Sequence, residues 1–368
     1  MASRLLARLD AALVTERRPL EQLMLRAERA GLLARSGRVQ EARAAVLALR
    51  GAPATRTGRA GDAALGLAEA LIEYHSDLSV QARSRLQAAY AASAGHDELQ
   101  ATCAAWLAHL DYVGNELPGM VANAALALKL AAPQHHGARS RASLVVAMSY
   151  HHAGRFDLAR PWYEQARRHA RAEGDEAQLS ALLHDMAALS VYLAREQAVR
   201  HPDPACAHAV LQAAGAAESS GHFDAHIGSR VLPVLAPILR AQALSIQGRF
   251  PQAMAHYEGH LRTALAQGLA RIECSLRADM AWCRLGLAQP DLAREQARAA
   301  EAAQHAHSEP DELAFSHGRL AQVWAALGEP HAAERHAQAA ARQWLLHGED
   351  QARILALLAA AGLPAVST

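Results

Sequence analysis

The feature that most constrains this chain is a short glycine turn that recurs between apolar helical segments, at intervals of about 40 residues or twice that. Four copies carry the glycine, at Gly37, Gly154, Gly248 and Gly328. A helix usually ends on a residue with positive φ, and glycine adopts that conformation without steric cost. Each glycine therefore predicts two helices joined by a tight turn, and the recurrence predicts an array of such pairs.

The residues around each turn glycine follow one pattern of small and large side chains. Around Gly154 the pattern is formed by Ala147, Tyr150, Ala159, Tyr163 and Ala166. Small residues let two antiparallel helices approach closely, and large residues fill the space beside the contact. Weaker copies share the register, with turns near residues 77 and 288, and hidden copies are expected over residues 98–132 and 177–219.

The interval between Gly154 and Gly248 is 94 residues rather than 80, which predicts an insertion. We expect a longer turn through residues 201–204, a loop at residues 219–222, and a following helix that Pro233 and Pro237 delay or kink. The expected organisation is an N-terminal capping helix at 1–17, repeats at 18–200, the insertion at 201–226, repeats at 227–347, and a C-terminal capping helix with a tail at 348–368.

Composition favours helices throughout the chain. Apolar residues make up 51% of the sequence but aromatic residues only 4%, because much of the apolar total is alanine, the best helix former. No segment alternates β-branched and aromatic residues as a strand does. We therefore expect an all-α fold that extends as a solenoid, with about eight helix pairs.

This pattern resembles the tetratricopeptide repeat, whose motif places small, large, glycine, alanine, aromatic and alanine residues at these offsets. The resemblance covers about 330 residues and is most specific between Tyr150 and Ala166. The family's common period is 34 residues, and longer versions of about 40 residues are similar to the repeats of bacterial signalling regulators, including peptide-sensing receptors. The resemblance implies a right-handed α-solenoid with capping helices, which binds partners in its concave groove.

The resemblance also indicates which side chains line that groove, because the first helix of each pair faces the concave side shortly before the turn. Helical periodicity extends the set by one turn. The candidate groove residues are Tyr74, His75, Tyr112, Met148, His151, His152, Tyr192, Gln242, Trp282 and Gln322. Such side chains offer stacking surfaces and hydrogen bonds without fixed charge, which suits a peptide or small ligand.

Charge and motif content exclude several function classes. The 37 basic and 36 acidic residues nearly cancel, so we expect neither specific nucleic-acid binding nor attraction to a membrane. No segment approaches 18 consecutive apolar residues, and the phosphate-binding GxxxxGK[ST], dinucleotide-binding GxGxxG and hydrolase GxSxG motifs are absent. We expect no enzymatic activity and no cofactor. An enzyme built on the solenoid is the alternative, if an acid, a base and a nucleophile meet in one pocket.

Cysteine and histidine positions point to a reducing compartment without a metal site. The four cysteines include no CxxC pair, and Cys103 lies in an apolar helical segment. His222 and His226 are spaced to share a helix face, but no evident third ligand accompanies them. The N-terminus lacks a secretory apolar region, so we expect a cytoplasmic protein, although its arginines also allow a transit-peptide interpretation.

Two functional hypotheses follow. The first is a scaffold or regulatory module that binds a protein or peptide partner in the concave groove, and that can also pair as a homodimer. The second is a sensor whose superhelix changes shape on binding a ligand or signalling peptide and thereby controls a separate effector.

Overall fold

The structure is a computed structural model that describes residues 4–51, 58–77, 82–200, 207–227, 235–305 and 308–363. These residues form α-helices and one short 3-10 turn, Leu269–Ile272, with no strand among them. In chain order the helices are α1 (Arg4–Thr15), α2 (Pro19–Arg35), α3 (Val39–Gly51), α4 (Gly58–Asp77), α5 (Ala82–Ala92), α6 (Asp97–Val113), α7 (Leu117–Leu130), α8 (His136–His152), α9 (Phe156–Glu173), α10 (Glu176–Arg200), α11 (Ala207–Ile227), α12 (Leu235–Ile246), α13 (Phe250–Ala266), α14 (Glu273–Gly286), α15 (Pro290–Ala302), α16 (Pro310–Ala326) and α17 (Pro330–Ala360). The predicted all-α solenoid is confirmed.

The turns between paired helices are where the sequence places them. The glycine φ is 78° at Gly37, 72° at Gly154 and Gly248, and 77° at Gly328. Where a weaker copy lacks glycine, Ala288 adopts the same left-handed conformation with φ 57°, at a cost of about 1 kcal/mol for an L-residue. The recurring turn is therefore a backbone requirement of the pair. The hidden copy expected over 98–132 is also present, as α6 and α7.

The small and large positions around Gly154 form the contact between α8 and α9. Ala147, Ala159 and Ala166 are completely buried, and Tyr150 and Tyr163 are buried beside them. Alanine side chains let the two backbones approach, and each tyrosine ring removes a large apolar area from water, which stabilises the pair by roughly 1.5–3 kcal/mol per ring.

The chain divides into two compact units. Unit 1 comprises Met1–Leu182, Phe223–Val231 and Ile354–Thr368. Within it the first helices α2, α4, α6 and α8 pack against one another in chain order, and three leucines of α1 (Leu5, Leu6 and Leu9) join their core. The Tyr150 hydroxyl donates a buried hydrogen bond of 2.7 Å to the carbonyl of Leu363, so a C-terminal segment completes this unit.

The turn between α9 and α10 in unit 1 contacts helices α1 and α2. The backbone N–H of Leu5 donates to the carbonyl of Gly174 at 3.2 Å, Arg8 pairs with Glu173, and Arg35 pairs with Asp175. We call this set of interactions the closing contact.

Unit 2 comprises Leu183–His222 and Leu232–Arg353. Its pairs α12–α13, α14–α15 and α16–α17 follow in order, with Tyr257 and Phe315 among the most completely buried side chains. The later half of α10 packs on α16, where Gly318 leaves room that Val199 fills. Because a side chain at position 318 would overlap Val199, this close approach depends on the glycine.

Two expectations differ from the structure. The segment 219–222 was expected as a loop, but α11 continues through it to Ile227. Ala217 and Ser220 are buried there, so packing outweighs the local turn signals. The C-terminal cap at 348–368 is not a separate helix, because α17 runs unbroken from Pro330 to Ala360. No proline interrupts it, and the next left-handed glycine is Gly362, with φ 66°.

The segment around the predicted insertion is only partly described. The turn expected at 201–204 and Pro233 lie outside the described residues, and the remaining domain boundaries stay predictions. The described part of the following helix, α12, begins at Leu235 and includes Pro237, and its expected delay or kink stays a prediction. Within the described part of the chain, no helix combines the length and apolarity needed to cross a bilayer.

Candidate functional site

Three successive first helices of unit 1 bring together a set of aromatic, imidazole and guanidinium side chains. This set, which we call the inner cluster, consists of Tyr74 and His75 on α4, Trp106 and His109 on α6, and Arg141 on α8. The Tyr74 hydroxyl lies 3.0 Å from His109 Nε2, and the Trp106 ring meets the His75 and His109 rings edge to face, with centroids 5.9 and 5.4 Å apart. The Arg141 guanidinium lies 4.0 Å over the Trp106 ring, a cation–π contact.

The imidazoles of the inner cluster are neutral and only partly hydrogen-bonded. Burial, reinforced by the positive charge of Arg141, lowers the pKa of His75 to about 3 and that of His109 well below its usual range. Both ring nitrogens of His75 and Nδ1 of His109 are shielded from water without a hydrogen-bond partner. A neutral imidazole offers one donor and one acceptor, so these atoms are able to bind a polar ligand group.

His75 lies where side chains from four first helices converge. Its own helix is α4, Trp106 of α6 contacts its ring, and the charges of Arg141 on α8 and Arg35 on α2 both act on it. Helices α2 and α8 are separated in the array by α4 and α6. We call the part of unit 1 where the side chains of the inner cluster meet the inner face.

Tyr112 and His152 form a second, more exposed contact between α6 and α8. They stand 40 residues apart, in the same position of successive pairs, and their rings meet edge to face with centroids 6.4 Å apart. Both side chains are half-buried. Their exposed ring surface is suited to stacking on a bound chain.

His151 and Met148 are directed into the protein. His151 is buried, and its Nδ1 lies 3.0 Å from the Tyr163 hydroxyl. Its ring packs on the Phe156 ring, with the two ring centroids 4.9 Å apart. Burial lowers the pKa of His151 to about 4. Met148 is buried as well. The structure thus places His151 in the contact between α8 and α9.

The four candidates in unit 2 have partners within that unit or are buried. Gln322 accepts a hydrogen bond from Arg319 at 2.7 Å and donates to the carbonyl of Val199 at 3.3 Å. The Arg319 guanidinium lies over the Trp282 ring, with its carbon 5.0 Å from the ring centroid. The Tyr192 hydroxyl lies 3.3 Å from Nε2 of His347, and Gln242 is buried on α12.

Unit 2 also holds a buried charge cluster that sequence reasoning missed. Asp279 accepts a hydrogen bond from Arg195 at 3.0 Å and one from the Tyr257 hydroxyl at 3.4 Å. Arg319 pairs with the same carboxylate at 3.3 Å, and the Arg195 guanidinium lies 3.9 Å over the Phe315 ring. These contacts join α10, α13, α14 and α16 into one core.

Regular spacing is the signal that could have revealed the missed residues. Arg319 follows Asp279 by 40 residues, which is the repeat interval of this chain. The two charged residues therefore occupy related positions in neighbouring first helices. Trp106 and Arg141 lie earlier in their helices, away from the turn positions that guided the prediction.

Neither a family model nor a curated protein matches this chain. Among solved structures, it is similar to a Rap protein complexed with competence and sporulation factor, with 12% sequence identity and a TM-score of 0.53. The likeness covers 94% of this chain and 92% of that chain. At this identity it supports the fold, an all-α helical-repeat solenoid.

Proposed function

We propose that this chain is a non-catalytic helical-repeat regulator that binds a peptide or protein segment on the inner face of unit 1. The observation that carries the proposal is the inner cluster, where helices α4, α6 and α8 supply stacked rings together with imidazole nitrogens that have no partner. Polar atoms shielded from water cost about 1–3 kcal/mol each when unpaired. Their presence beside aromatic surfaces favours a binding role over simple packing.

The chemistry of the inner face suits a polypeptide ligand. Main-chain amides both donate and accept hydrogen bonds, which matches the donor and acceptor of a neutral imidazole such as His75. Tyr112 and His152 supply half-exposed rings on the same helices, against which apolar side chains can stack. The Rap protein with the similar fold is complexed with a factor, which supports a binding role for this architecture.

Several finer features belong to the same proposal. The repeats are of the tetratricopeptide type, the protein acts in the cytoplasm, and its partner is a protein or peptide. A homodimer is a further expectation, which sedimentation of the full chain at increasing concentration would test.

Binding is tested by selecting ligands from a phage-displayed library of random heptapeptides on the immobilised full chain. The strongest peptide is then synthesised and titrated by calorimetry. We expect Tyr112→Ala and His152→Ala to weaken binding about tenfold each, since aromatic pairs contribute about 0.5–1.5 kcal/mol. His256→Ala, on α13 of unit 2, is the matched control and should bind normally. Selection of no peptide, or full affinity in both variants, would reject the proposed site.

The sensor hypothesis differs in predicting motion. Small-angle scattering with and without the selected peptide separates the two readings, because a scaffold keeps its radius of gyration whereas a sensor becomes more compact. The closing contact favours the sensor, since polar interactions that close unit 1 on itself can be exchanged for ligand contacts.

A further inference from the structure

Two imidazole rings face each other across the last helix pair of unit 2. His317 lies on α16 and His336 on α17, and their Nδ1 atoms are 2.8 Å apart. They stand 11 positions before and 8 positions after the turn glycine, Gly328, so the antiparallel course of the two helices brings them to the same level. His336 is buried and His317 is partly exposed. The pair therefore lies at the edge of the core, with one ring in contact with solvent.

A carboxylate from the preceding helix pair fixes the orientation of the His336 ring. Nε2 of His336 lies 2.9 Å from Oε1 of Glu301 on α15. The same oxygen accepts a hydrogen bond of 2.9 Å from the indole N–H of Trp324. An ionised carboxylate only accepts hydrogen bonds, so Nε2 of His336 carries the hydrogen. In the neutral ring the lone pair is then on Nδ1, which is the atom directed at His317.

His317 can supply a second lone pair at the same place. Burial, with the positive charges of His336 and Arg342 as smaller causes, lowers the pKa of His317 to about 4, so its ring is neutral at pH 7. As the ring stands, its Nδ1–H donates to Nδ1 of His336. Moving that hydrogen to Nε2 of the same ring leaves two lone pairs facing each other. Histidine binds metal ions in this neutral form, through a nitrogen without hydrogen.

We propose that His317 and His336 bind a divalent transition-metal ion such as Zn²⁺ through their Nδ1 atoms, with Glu301 as the positioning residue for His336. Zinc–histidine bonds of about 2.0–2.1 Å at a tetrahedral angle place the two nitrogens roughly 3.3 Å apart. From 2.8 Å, the rings need to separate by about 0.5 Å and turn until both lone pairs point at the ion. Imidazole suits zinc, copper and nickel, whereas Mg²⁺ and Ca²⁺ take oxygen ligands. Water completes the coordination.

The contact between Glu301 and His336 has the form found behind metal-binding histidines. Such a histidine commonly donates its other ring N–H to a carboxylate, which fixes the tautomer and makes the ligand nitrogen more basic. Sequence spacing predicts no metal site here, because the three residues lie on three helices, separated by 16 and 19 positions. Only the packing of the helix pairs brings them together.

Unit 1 contains a similar imidazole pair that serves as an internal comparison. Nδ1 of His136 on α8 lies 2.9 Å from Nδ1 of His169 on α9. Among the described residues, no carboxylate is hydrogen-bonded to either ring. The positive charges of Arg139 and Arg168 act on His169 instead, and they disfavour a bound cation. We therefore expect this pair to bind Zn²⁺ more weakly than the pair in unit 2.

Zn²⁺ binding is measured by diethyl pyrocarbonate labelling of individual histidines in the full chain, followed by mass spectrometry. The reagent needs a nitrogen lone pair. When Zn²⁺ occupies Nδ1, Nε2 of that ring carries the hydrogen, so neither nitrogen can react. We expect Zn²⁺ to stop labelling of His317 at a lower concentration than it protects His136 or His169. Glu301→Gln should raise the concentration for half-protection of His317 about 10–100-fold, as loss of such a carboxylate typically does.

Two further variants separate a paired site from binding to a single ring. His336→Ala keeps His317 but removes the second ligand, so Zn²⁺ should no longer protect His317. His260→Ala, which disrupts the stacked His256–His260 pair on α13, is the matched control and should leave the protection unchanged. Labelling of His347, only 2% exposed, reports whether unit 2 stays folded. If it rises in His336→Ala, the nearly isosteric Glu301→Gln decides the test.

Two results would overturn the proposed site. One is a His317 ring that still reacts at Zn²⁺ concentrations that already protect other histidines of the chain. The other is undiminished protection of His317 in His336→Ala, which would show adventitious binding to one ring. Half-protection at an unchanged concentration in Glu301→Gln would reject the positioning role of Glu301. All of these readouts are made without a peptide, so they do not depend on the function proposed for unit 1.

Discussion

Replacing Asp279 by asparagine is the most direct test of how unit 2 is held together. Asp279 is completely buried and pairs with two guanidinium groups, those of Arg195 and Arg319, each only 2% exposed. Asparagine has nearly the same shape, so the variant creates no cavity. It removes the carboxylate that pairs with both buried guanidinium groups.

The expected cost follows from the general behaviour of buried ion pairs. Removing one partner of such a pair typically destabilises a protein by about 3–5 kcal/mol, because the remaining charge stays buried without compensation. Here two charges lose the same partner, and the Phe315 ring against Arg195 offsets only part of the loss. We expect Asp279→Asn to reduce the free energy of unfolding of unit 2 by about 3–5 kcal/mol.

Urea unfolding followed by circular dichroism measures this change. If the unfolding free energy of the variant depends on urea concentration as steeply as that of the original protein, both expose a similar surface on unfolding. Asp291→Asn is the control, because the Asp291 side chain is 97% exposed in its pair with Arg294 and surface pairs contribute little. A loss below about 1 kcal/mol for Asp279→Asn would refute the reasoning. Replacing all three charged residues together, with Asp279→Leu, Arg195→Met and Arg319→Met, should recover most of the lost stability.

Three further predictions concern individual side chains. Gly286→Ala should destabilise the chain by about 1–3 kcal/mol and lower its Tm, because the added methyl group overlaps the Phe250 ring. Burial raises the pKa of Asp311 to about 7. The stability that its protonated form contributes should therefore decline as pH rises from about 4 to about 7, and urea titrations of Asp311→Asn should lack this decline. Burial also raises the pKa of Cys103 and Cys283 to about 12, so neither thiol should react with Ellman's reagent at pH 8 until urea is added.

The turns of this fold could be predicted because their cause is local. A positive φ excludes most side chains at a single position, so Gly37 or Gly154 marks the end of a helix whatever surrounds it. The buried alanine and tyrosine positions follow from the same register. The course of α11 through residues 219–222 could not be predicted in this way, because buried neighbours outweigh the preference of serine and glycine for turns.

The candidate site was only partly predictable for a different reason. Tyr74 and His75 were predicted from their distance to a turn, and both belong to the inner cluster. The Arg35–Asp175 pair depends on how far the array curves before its segments meet. Curvature accumulates from small rotations between successive pairs, and no short stretch of sequence carries that information.

The hydrogen bond from Tyr150 to Leu363 spans 213 positions within unit 1. During synthesis the ribosome therefore releases most of unit 1 long before the residue that completes it exists, and all of unit 2 is made in between. The buried Tyr150 hydroxyl gains its partner only after Leu363 has been translated. A chain that stops before Leu363 would accordingly have a less stable unit 1.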